Sequence, residues 1–488
     1  MVNENDEDSL SRSVKLGYGV GQLGDAVVHF SFETLVFFYY SQVLGISATL
    51  AGGAVFIALV FDALSDPLVG SLSDSTRSRL GRRHPYMFAG PLPLAVFFYL
   101  LFVPPEGLGE LGLFLWLTGF SVLARTCLTL FAVPYMSLGA ELSQDYVGRT
   151  WIVATRMSFG AIGWIGSAAV AFFGFFRSSE AFPIGHMNPD PYAPFAFTMA
   201  MLIVVAQMGS AAGTLAQARS IPVTGEPETF RPARVFGELR AAFSQSSFRW
   251  FAIGGVIAAG GLGLRQTLVL HMNTFFWGFS SEETGIVMVV TLVGLLGGFP
   301  FWAWLSRRIE KRRVFQAGLC TLGVCVFLPP LLRALDLFPE NQTKALLLPL
   351  VAVFSLLSAL GGTGAQLAQG SMAADIADES ALETGLRQEG VFFGSVNFLV
   401  KCSAGLGHQL AGILLDLIDL PAGAEPGGLS ERVVANLGWA YGLGVLVIAG
   451  VAIWAIGRYP LDRTRVAEIQ QALAERIPGG GQVQQPGA

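Results

Sequence analysis

Long apolar stretches recur along the whole chain, and short polar segments separate them. A helix of roughly 20 apolar residues crosses a bilayer with its backbone hydrogen bonds satisfied internally. Six stretches of about this length lie in the first half of the chain, near residues 16–43, 49–73, 86–104, 111–141, 151–176 and 193–216. Six more follow, near residues 249–277, 283–305, 313–334, 345–373, 388–417 and 436–457. The pattern predicts twelve transmembrane helices.

One polar segment, residues 217–248, divides the chain, because prolines and arginines interrupt any apolar run there. The stretches on its two sides match in number and order, which is typical of an internal repeat. We therefore predict an all-α membrane protein with two six-helix bundles, at residues 16–216 and 249–457, joined by a cytoplasmic linker. Residues 1–15 are then a cytoplasmic N-terminal segment and residues 458–488 a cytoplasmic tail.

The composition supports membrane insertion of nearly the whole chain. Hydrophobic residues make up 52% of it and charged residues only 13%, whereas a soluble domain has about a quarter of its residues charged. The net charge of -5 is small and the basic residues lie in loops, which argues against a nucleic-acid partner. The four cysteines lie in apolar stretches without metal-ligand spacing, so we interpret them as packing residues.

The positive charges indicate an orientation, since short basic loops stay on the cytoplasmic side of a membrane. They concentrate in alternate loops, at Arg77, Arg79, Arg82 and Arg83, at Arg219, Arg231, Arg234 and Arg240, and at Arg307, Arg308, Lys311, Arg312 and Arg313. The prediction is a multi-pass protein of the cell membrane with both termini cytoplasmic.

Two carboxylates in the second predicted helix are the main candidate for chemistry. Asp62 and Asp66 are four residues apart, so they share one helical face at about 5–6 Å between Cβ atoms. Two like charges that close need a proton or a bound cation between them, and membrane carboxylates commonly mark ion pathways. The alternative is that nearby arginines bridge the pair as structural ion pairs.

The first predicted helix carries a second ionisable stripe, with Asp25, His29 and Glu33 at four-residue steps. A histidine flanked by carboxylates can shuttle protons or contact a substrate. Equally, the acids can lie near an interface or pair with a neighbouring helix.

Four cations inside predicted helices can balance these acids or contact a substrate: Arg125, Arg156, Arg265 and Lys401. Thr129 shares a helical face with Arg125 and can contribute a hydroxyl to a cation site. Any single cation can also be a structural counter-ion.

The segment between the second and third predicted helices combines glycines with charges, at Gly70, Asp74, Arg77, Gly81, Arg82 and Arg83. Glycines allow close helix approach, and the charged side chains can latch one conformation against another. Simple anchoring by cytoplasmic positive charge is the alternative.

The run Phe61-Asp62-Ala63-Leu64-Ser65-Asp66-Pro67-Leu68-Val69-Gly70 and the following Ser73-Asp74-Ser75-Thr76-Arg77-Ser78-Arg79-Leu80-Gly81-Arg82-Arg83 resemble the glycoside-pentoside-hexuronide:cation symporter family. Further matches are Lys15-Leu16-Gly17-Tyr18-Gly19, Val133-Pro134-Tyr135, Asp375-Ile376-Ala377-Asp378 after the tenth predicted helix, and Val400-Lys401. The resemblance covers most of the chain and implies the major facilitator fold.

The resemblance also implies site residues. The family's sodium site falls on Asp62, Asp66 and Thr129. Its sugar-binding aspartates fall on Ala26 and Ala132, and its sugar-stacking tryptophan falls on Met136. Asp25 is offset by one residue, and so faces about 100° away from the family's position. The spacing from Pro134 to Arg149 and Arg156 is similar to that of lysophospholipid symporters of the same wider family.

These features predict a symporter that works by alternating access, driven by sodium or protons, with a sugar, glycoside or hexuronide-like solute as cargo. The number of cations in the helices favours an anionic solute. A lysophospholipid-type amphiphile and a non-transporting receptor are the alternatives. No nucleophile–base or metal constellation indicates an enzyme or a cofactor beyond the coupling ion, and a monomer is expected.

Overall fold

The computed structural model describes residues 11–143, 146–220, 243–384 and 389–475. The first half contains the helices α1 (Arg12–Phe30), α2 (Ala48–Ser75), α3 (His84–Ala89), α4 (Pro91–Leu101), α5 (Glu110–Glu141), α6 (Tyr146–Ala169) and α7 (Tyr192–Ser220). π-helical segments extend α1 through Ser31–Val36 and Tyr39–Val43, and α6 through Val170–Phe175. A short 3₁₀ turn, Gly185–Met187, lies before α7.

The second half contains α8 (Ser246–His271), which a π-helical segment extends through Met272–Phe276, and then α9 (Ser281–Ser306), α10 (Lys311–Ala334), α11 (Lys344–Thr384), α12 (Glu389–Leu417) and α13 (Glu431–Ile456). A final helix, α14 (Arg463–Glu475), follows. It packs against α11 and buries Ile469.

Local sequence explains where several helices begin. Ser47 and Ser430 accept hydrogen bonds from backbone N–H groups at the starts of α2 and α13, which satisfies donors that a helix start leaves free. Ser280 and Glu283 form a capping box at the start of α9. Pro91 lacks a backbone N–H and separates α4 from α3, so that the third predicted span is two helices.

Eleven helices among the described residues are long and apolar enough to cross a membrane. The continuous helix from Arg12 to Val43 is not one of them by composition, because Asp25, His29 and Glu33 lower its hydropathy. It nevertheless packs between α6 and α7, as the predicted first span of a bundle should. The all-α architecture is confirmed for the described residues.

One boundary differs from expectation. The tenth predicted span does not end near residue 373, because α11 continues to Thr384 and places Asp375 inside the helix. Asp375 is buried there, and Lys311 Nζ donates to both of its carboxylate oxygens at 2.7 and 2.8 Å. Residues 221–242 of the predicted linker lie outside the described residues, so the division into two bundles stays a prediction.

The two halves of the chain meet most closely where α2 packs antiparallel against α12. Small residues allow this approach: a Cβ added at Gly52 would lie 2.8 Å from the carbonyl oxygen of His408. Asp416, near the same end of the contact, caps α2 from across the interface. Its carboxylate accepts from Ala48 N at 3.2 Å, from Thr49 N at 2.9 Å and from Ser47 Oγ at 3.1 Å.

Further polar contacts close the same end of the molecule. Ser178 donates from its backbone and its hydroxyl to Glu282 at 2.9 and 2.7 Å. His186, which lies outside the spanning helices, is 2.8 Å from Ser281 Oγ and 2.8 Å from Thr274 Oγ1. Burial, with a contribution from His271, lowers the pKa of His186 to about 3, so the ring is neutral near pH 7. We call this the closed end.

The cap that Asp416 provides generates a prediction. Asp416→Ala leaves the first N–H groups of α2 without their partner in the other half, which should lower the free energy of unfolding by roughly 1–2 kcal/mol. Thermal unfolding of the detergent-solubilised protein measures this. Glu425→Ala, which removes an exposed carboxylate from the same loop region, is the matched control, and equal melting temperatures for the two variants would contradict the cap.

Candidate functional site

A lysine joins the paired carboxylates of α2 to α12. Lys401 Nζ donates to Asp62 Oδ2 at 2.9 Å and to Asp66 Oδ2 at 2.6 Å. The four-residue spacing places both acids on the face of α2 that meets α12. Asp62 is only 5% exposed, so its charge needs this partner. The ammonium therefore lies between the two groups that were predicted to hold a cation.

Thr129 of α5 completes the cluster on the opposite side of the carboxylates. Its hydroxyl oxygen is 3.0 Å from Asp62 Oδ1 and 3.3 Å from Asp66 Oδ1. One hydroxyl proton is shared between the two acceptors, while Ser65 Oγ lies 3.4 Å from Thr129 Oγ1. Three side-chain oxygens thus converge from α2 and α5, and oxygen ligands suit a hard cation.

Arg125 connects this cluster with the first helix. Its Nη1 is 3.6 Å from Asp62 Oδ2, and its guanidinium carbon lies 4.7 Å above the centroid of the Phe32 ring. Arg125 is 5% exposed, and its Nε has no hydrogen-bond partner within the described part of the chain. The two carboxylates and the two cations Arg125 and Lys401 balance in charge.

The predicted stripe on α1 is also present as a row of neighbouring side chains. His29 lies between two acids, with Nε2 3.7 Å from Asp25 Oδ2 and Nδ1 3.6 Å from Glu33 Oε1. Gln22 Nε2 donates to Asp25 at 2.7 Å, and Gln266 Nε2 of α8 donates to Glu33 at 3.0 Å. The stripe therefore reaches from the first half of the chain to the second, and His29 keeps 40% of its side chain exposed.

The remaining two predicted cations lie apart from the acids. Arg265 donates from Nη2 to Ser358 Oγ at 3.1 Å, within the second half, and it forms no ion pair with a described carboxylate. It therefore does not balance the acids of α1 and α2 in this conformation, because α8 turns it towards α11, and its contact with a substrate stays a prediction. Arg156 of α6 lies beside the Tyr18 hydroxyl and, like Arg265, is partly exposed without an ion pair among the described residues.

Three residues of the predicted latch, Asp74, Arg82 and Arg83, form one cluster of ion pairs with Glu141. Arg83 Nη2 is 3.2 Å from Asp74 Oδ1, and both Arg82 and Arg83 donate to Glu141 at the end of α5. Gly81 has a φ of +85°, a conformation that favours glycine. Two further members take no part in these ion pairs: Arg77 is exposed, and Gly70 lies near Val133.

The positions implied for sugar binding carry no polar group. Ala26 is 4% exposed, and Ala132 is partly buried. Met136, at the position of the stacking tryptophan, is 56% exposed. A solute in this protein therefore needs other hydrogen-bonding partners, and the stripe on α1 supplies the nearest set.

Sequence reasoning missed several polar residues. Gln22 and Gln266 complete the stripe, Glu141 holds the two arginines, and His408 Nδ1 lies 2.6 Å from Thr267 Oγ1. The spacing of Gln22 three residues before Asp25 was a usable signal. Nothing local to Gln266 or Glu141 indicates their partners, which lie far away in sequence.

The ammonium of Lys401 occupies the side of the carboxylates that faces α12. Among the residues described, no group of three or more His, Cys, Asp or Glu side chains is placed to hold a metal ion. A sodium ion or a proton at Asp62 and Asp66 would replace the charge that Lys401 now supplies. Binding of such a cation would therefore be linked to the α2–α12 contact.

Comparisons with known proteins agree with a membrane transporter fold. A family model described as MFS/sugar transport protein matches residues 17–463. The chain is 24% identical to the glucuronide carrier protein homolog of Escherichia coli strain K12, over 96% of each chain. It is 23% identical to the sodium-dependent lysophosphatidylcholine symporter 1 of Gallus gallus, over 96% of this chain and 90% of the relative. The crystal structure of the nucleoside transporter NupG superposes with a TM-score of 0.60, 13% identity and coverage of 91% and 98%.

The shared ammonium generates a prediction about stability. Lys401→Ala leaves two neighbouring carboxylates with one cation, and should lower the free energy of unfolding by roughly 3 kcal/mol at most, since Lys401 is partly exposed. Lys401→Ala combined with Asp66→Asn restores the charge balance and should recover much of the loss. Thermal unfolding of both variants at neutral pH measures this, and a double variant no more stable than the single one would argue against charge balance as the cause.

Proposed function

Because the chain belongs to the MFS/sugar transport protein family, we propose that it is a cation-coupled symporter for a sugar or glycoside. The observation that carries the proposal is the convergence of Asp62, Asp66 and Thr129, with Lys401 between the two carboxylates. A structural ion pair is satisfied by its acids and cations alone, whereas this cluster also brings the Thr129 hydroxyl to both carboxylates.

The ammonium supports a mechanism for coupling. Lys401 ties α12 to α2 while no other cation is bound, and so holds the two halves of the chain together at this point. A bound cation neutralises the carboxylates, releases Lys401 and changes the relative energies of the two conformations. Because such coupling is reciprocal, a solute that binds better to the released conformation also raises the affinity for the cation.

Arg125 is the proposed link between cation and solute. It lies 3.6 Å from Asp62 and stacks on Phe32 of the first helix, one turn or less from His29 and Glu33. A change of charge at Asp62 therefore acts directly on the side chain beside the stripe. The solute site in this proposal consists of Asp25, His29 and Glu33 with the two glutamines.

The charge balance favours a neutral glycoside over an anionic one. Arg125 and Lys401 are engaged by Asp62 and Asp66, and Arg265 is engaged by Ser358. Arg156 is then the cation left for an anionic group beside the first helix, because Arg265 is turned towards α11, and it stands against the two carboxylates of the stripe. Carboxylates and amides accept and donate the hydrogen bonds that sugar hydroxyls require. The negative charge of the carboxylates, however, repels a uronate.

Sodium is the coupling ion that the ligand set favours. A proton needs one carboxylate oxygen, while the hydroxyl of Thr129 adds the neutral oxygen that a sodium ion can use. We further propose a monomer in the cell membrane with cytoplasmic termini, in which the closed end faces outward. The Asp74, Arg82 and Arg83 cluster then lies on the cytoplasmic side, where it can latch the first half.

The cation site predicts the behaviour of amide variants. Asp62→Asn and Asp66→Asn should each reduce sodium-driven accumulation of a glycoside in proteoliposomes by roughly tenfold or more, because one charged ligand is lost. Passive exchange should persist. Ser75→Ala, at the exposed end of the same helix, is the matched control. Accumulation that is unchanged in both amide variants would falsify the cation role. Accumulation driven by a proton gradient alone would identify the proton, and not sodium, as the coupling ion.

The polar side chains of the stripe on α1 predict which class of solute the protein binds. In the presence of sodium, a neutral alkyl glycoside should raise the melting temperature more than the matching glucuronide or lysophosphatidylcholine does. Asp25→Asn and Glu33→Gln should weaken glycoside binding about tenfold through the loss of a charge-assisted hydrogen bond, while Glu106→Gln in an exposed loop should have no effect. A larger shift with lysophosphatidylcholine would point to an amphiphile carrier, and binding without any flux would point to a receptor.

A further inference from the structure

A basic cavity lies away from the cation and solute sites, where the connection between α2 and α3 meets the ends of α5 and α7. Its volume is about 340 Å³, within the range of roughly 300–1,000 Å³ typical of small-ligand pockets. Charged residues dominate its lining, namely Arg79, Arg82, Arg83, Glu141 and Arg219, and His84 adds a ring.

The positive charge of this cavity exceeds what its own acids balance. Arg82 and Arg83 are satisfied by Glu141 together with Asp74, which leaves this group of four neutral. Arg79 and Arg219 are exposed, and neither forms an ion pair with any carboxylate of the described residues. Two guanidinium groups from different segments, neither paired with a carboxylate of the described residues, therefore line one cavity.

A buried donor without a partner marks the same place. Arg83 is only 7% exposed, and its Nη1 has no hydrogen-bond partner among the residues that the structure describes. His84 lies fully buried next to it in the chain, with Nε2 3.1 Å from Thr214 Oγ1. A buried donor that stays unsatisfied costs free energy, so such a group is expected to meet a ligand.

We propose that this cavity binds an oxyanion, with a phosphate group as the ligand chemistry. Guanidinium groups match the geometry of phosphate oxygens with paired N–H donors. Arg79 and Arg219 would supply the net charge, and Arg83 Nη1 would supply the buried donor. The cavity shares Arg82 and Arg83 with the proposed latch but has no residue of the cluster around Asp62, so the site can be tested separately from the cation site.

The position of the cavity favours the phosphate of a lipid headgroup over a free anion. It lies at the ends of membrane-spanning helices, where headgroups pack, and basic pockets between such helices bind anionic lipids. Both sources share one chemistry, and they can be separated by offering each alone.

The test uses the full chain, delipidated in a neutral detergent, with phosphatidylglycerol, inorganic phosphate or phosphatidylcholine added. Phosphatidylglycerol should raise the melting temperature in a saturable way. Arg79→Gln combined with Arg219→Gln should weaken that binding by about tenfold or more. Arg77→Gln, an exposed arginine of the same loop outside the cavity lining, should bind as the unmodified protein does.

The outcomes separate the possibilities. A shift with phosphatidylglycerol but not with phosphate supports a headgroup site, and an equal shift with phosphate supports a site for a free anion. Arg79→Lys with Arg219→Lys keeps the charge but not the paired donors, so intermediate binding is expected from a correctly folded protein even where the glutamine variant fails to fold. No shift with either ligand, or full binding by the glutamine variant, would overturn the site.

Discussion

The charge cluster of Asp62, Asp66, Lys401 and Arg125 is the constraint around which the rest of the structure is arranged. Charges inside a membrane protein are costly unless they meet, and these four meet only if α2, α5 and α12 pack as they do. The antiparallel contact of α2 with α12 therefore determines which helix faces pack together. It also sets the register at which the two halves of the chain touch.

The cluster and the stripe on α1 share a boundary at Arg125 and Phe32. In the proposed mechanism one site senses the charge of the other through Arg125, which approaches Asp62 and stacks on Phe32, the residue before Glu33. Glu33, meanwhile, is held by Gln266 from the other half. Motion of the halves must break either this contact or the Lys401 tie, which is why binding and conformation are expected to be coupled.

Ion pairs at the end opposite the closed end stay within one half. Arg82 and Arg83 join Glu141 between α2–α3 and α5, and Lys311 joins Asp375 between α10 and α11. The two arrangements occupy matching places in the two sets of helices, as an internal repeat would give. They brace each half internally, while the closed end, through Asp416 and Glu282, joins one half to the other.

The sequence by itself determined the helices, their approximate bounds and the pairs that share a helical face, because hydropathy and the 3.6-residue period are local properties. It placed Asp62 beside Asp66 and His29 between Asp25 and Glu33. It also identified Lys401 as a cation, but not its place between the two acids 339 and 335 residues away. Only the packing of helices decided that contact, the pairing of Gln266 with Glu33 and the turning of Arg265 away from the acids. Such partners depend on which helices become neighbours and at what register, and neither is encoded in the pattern of any one helix.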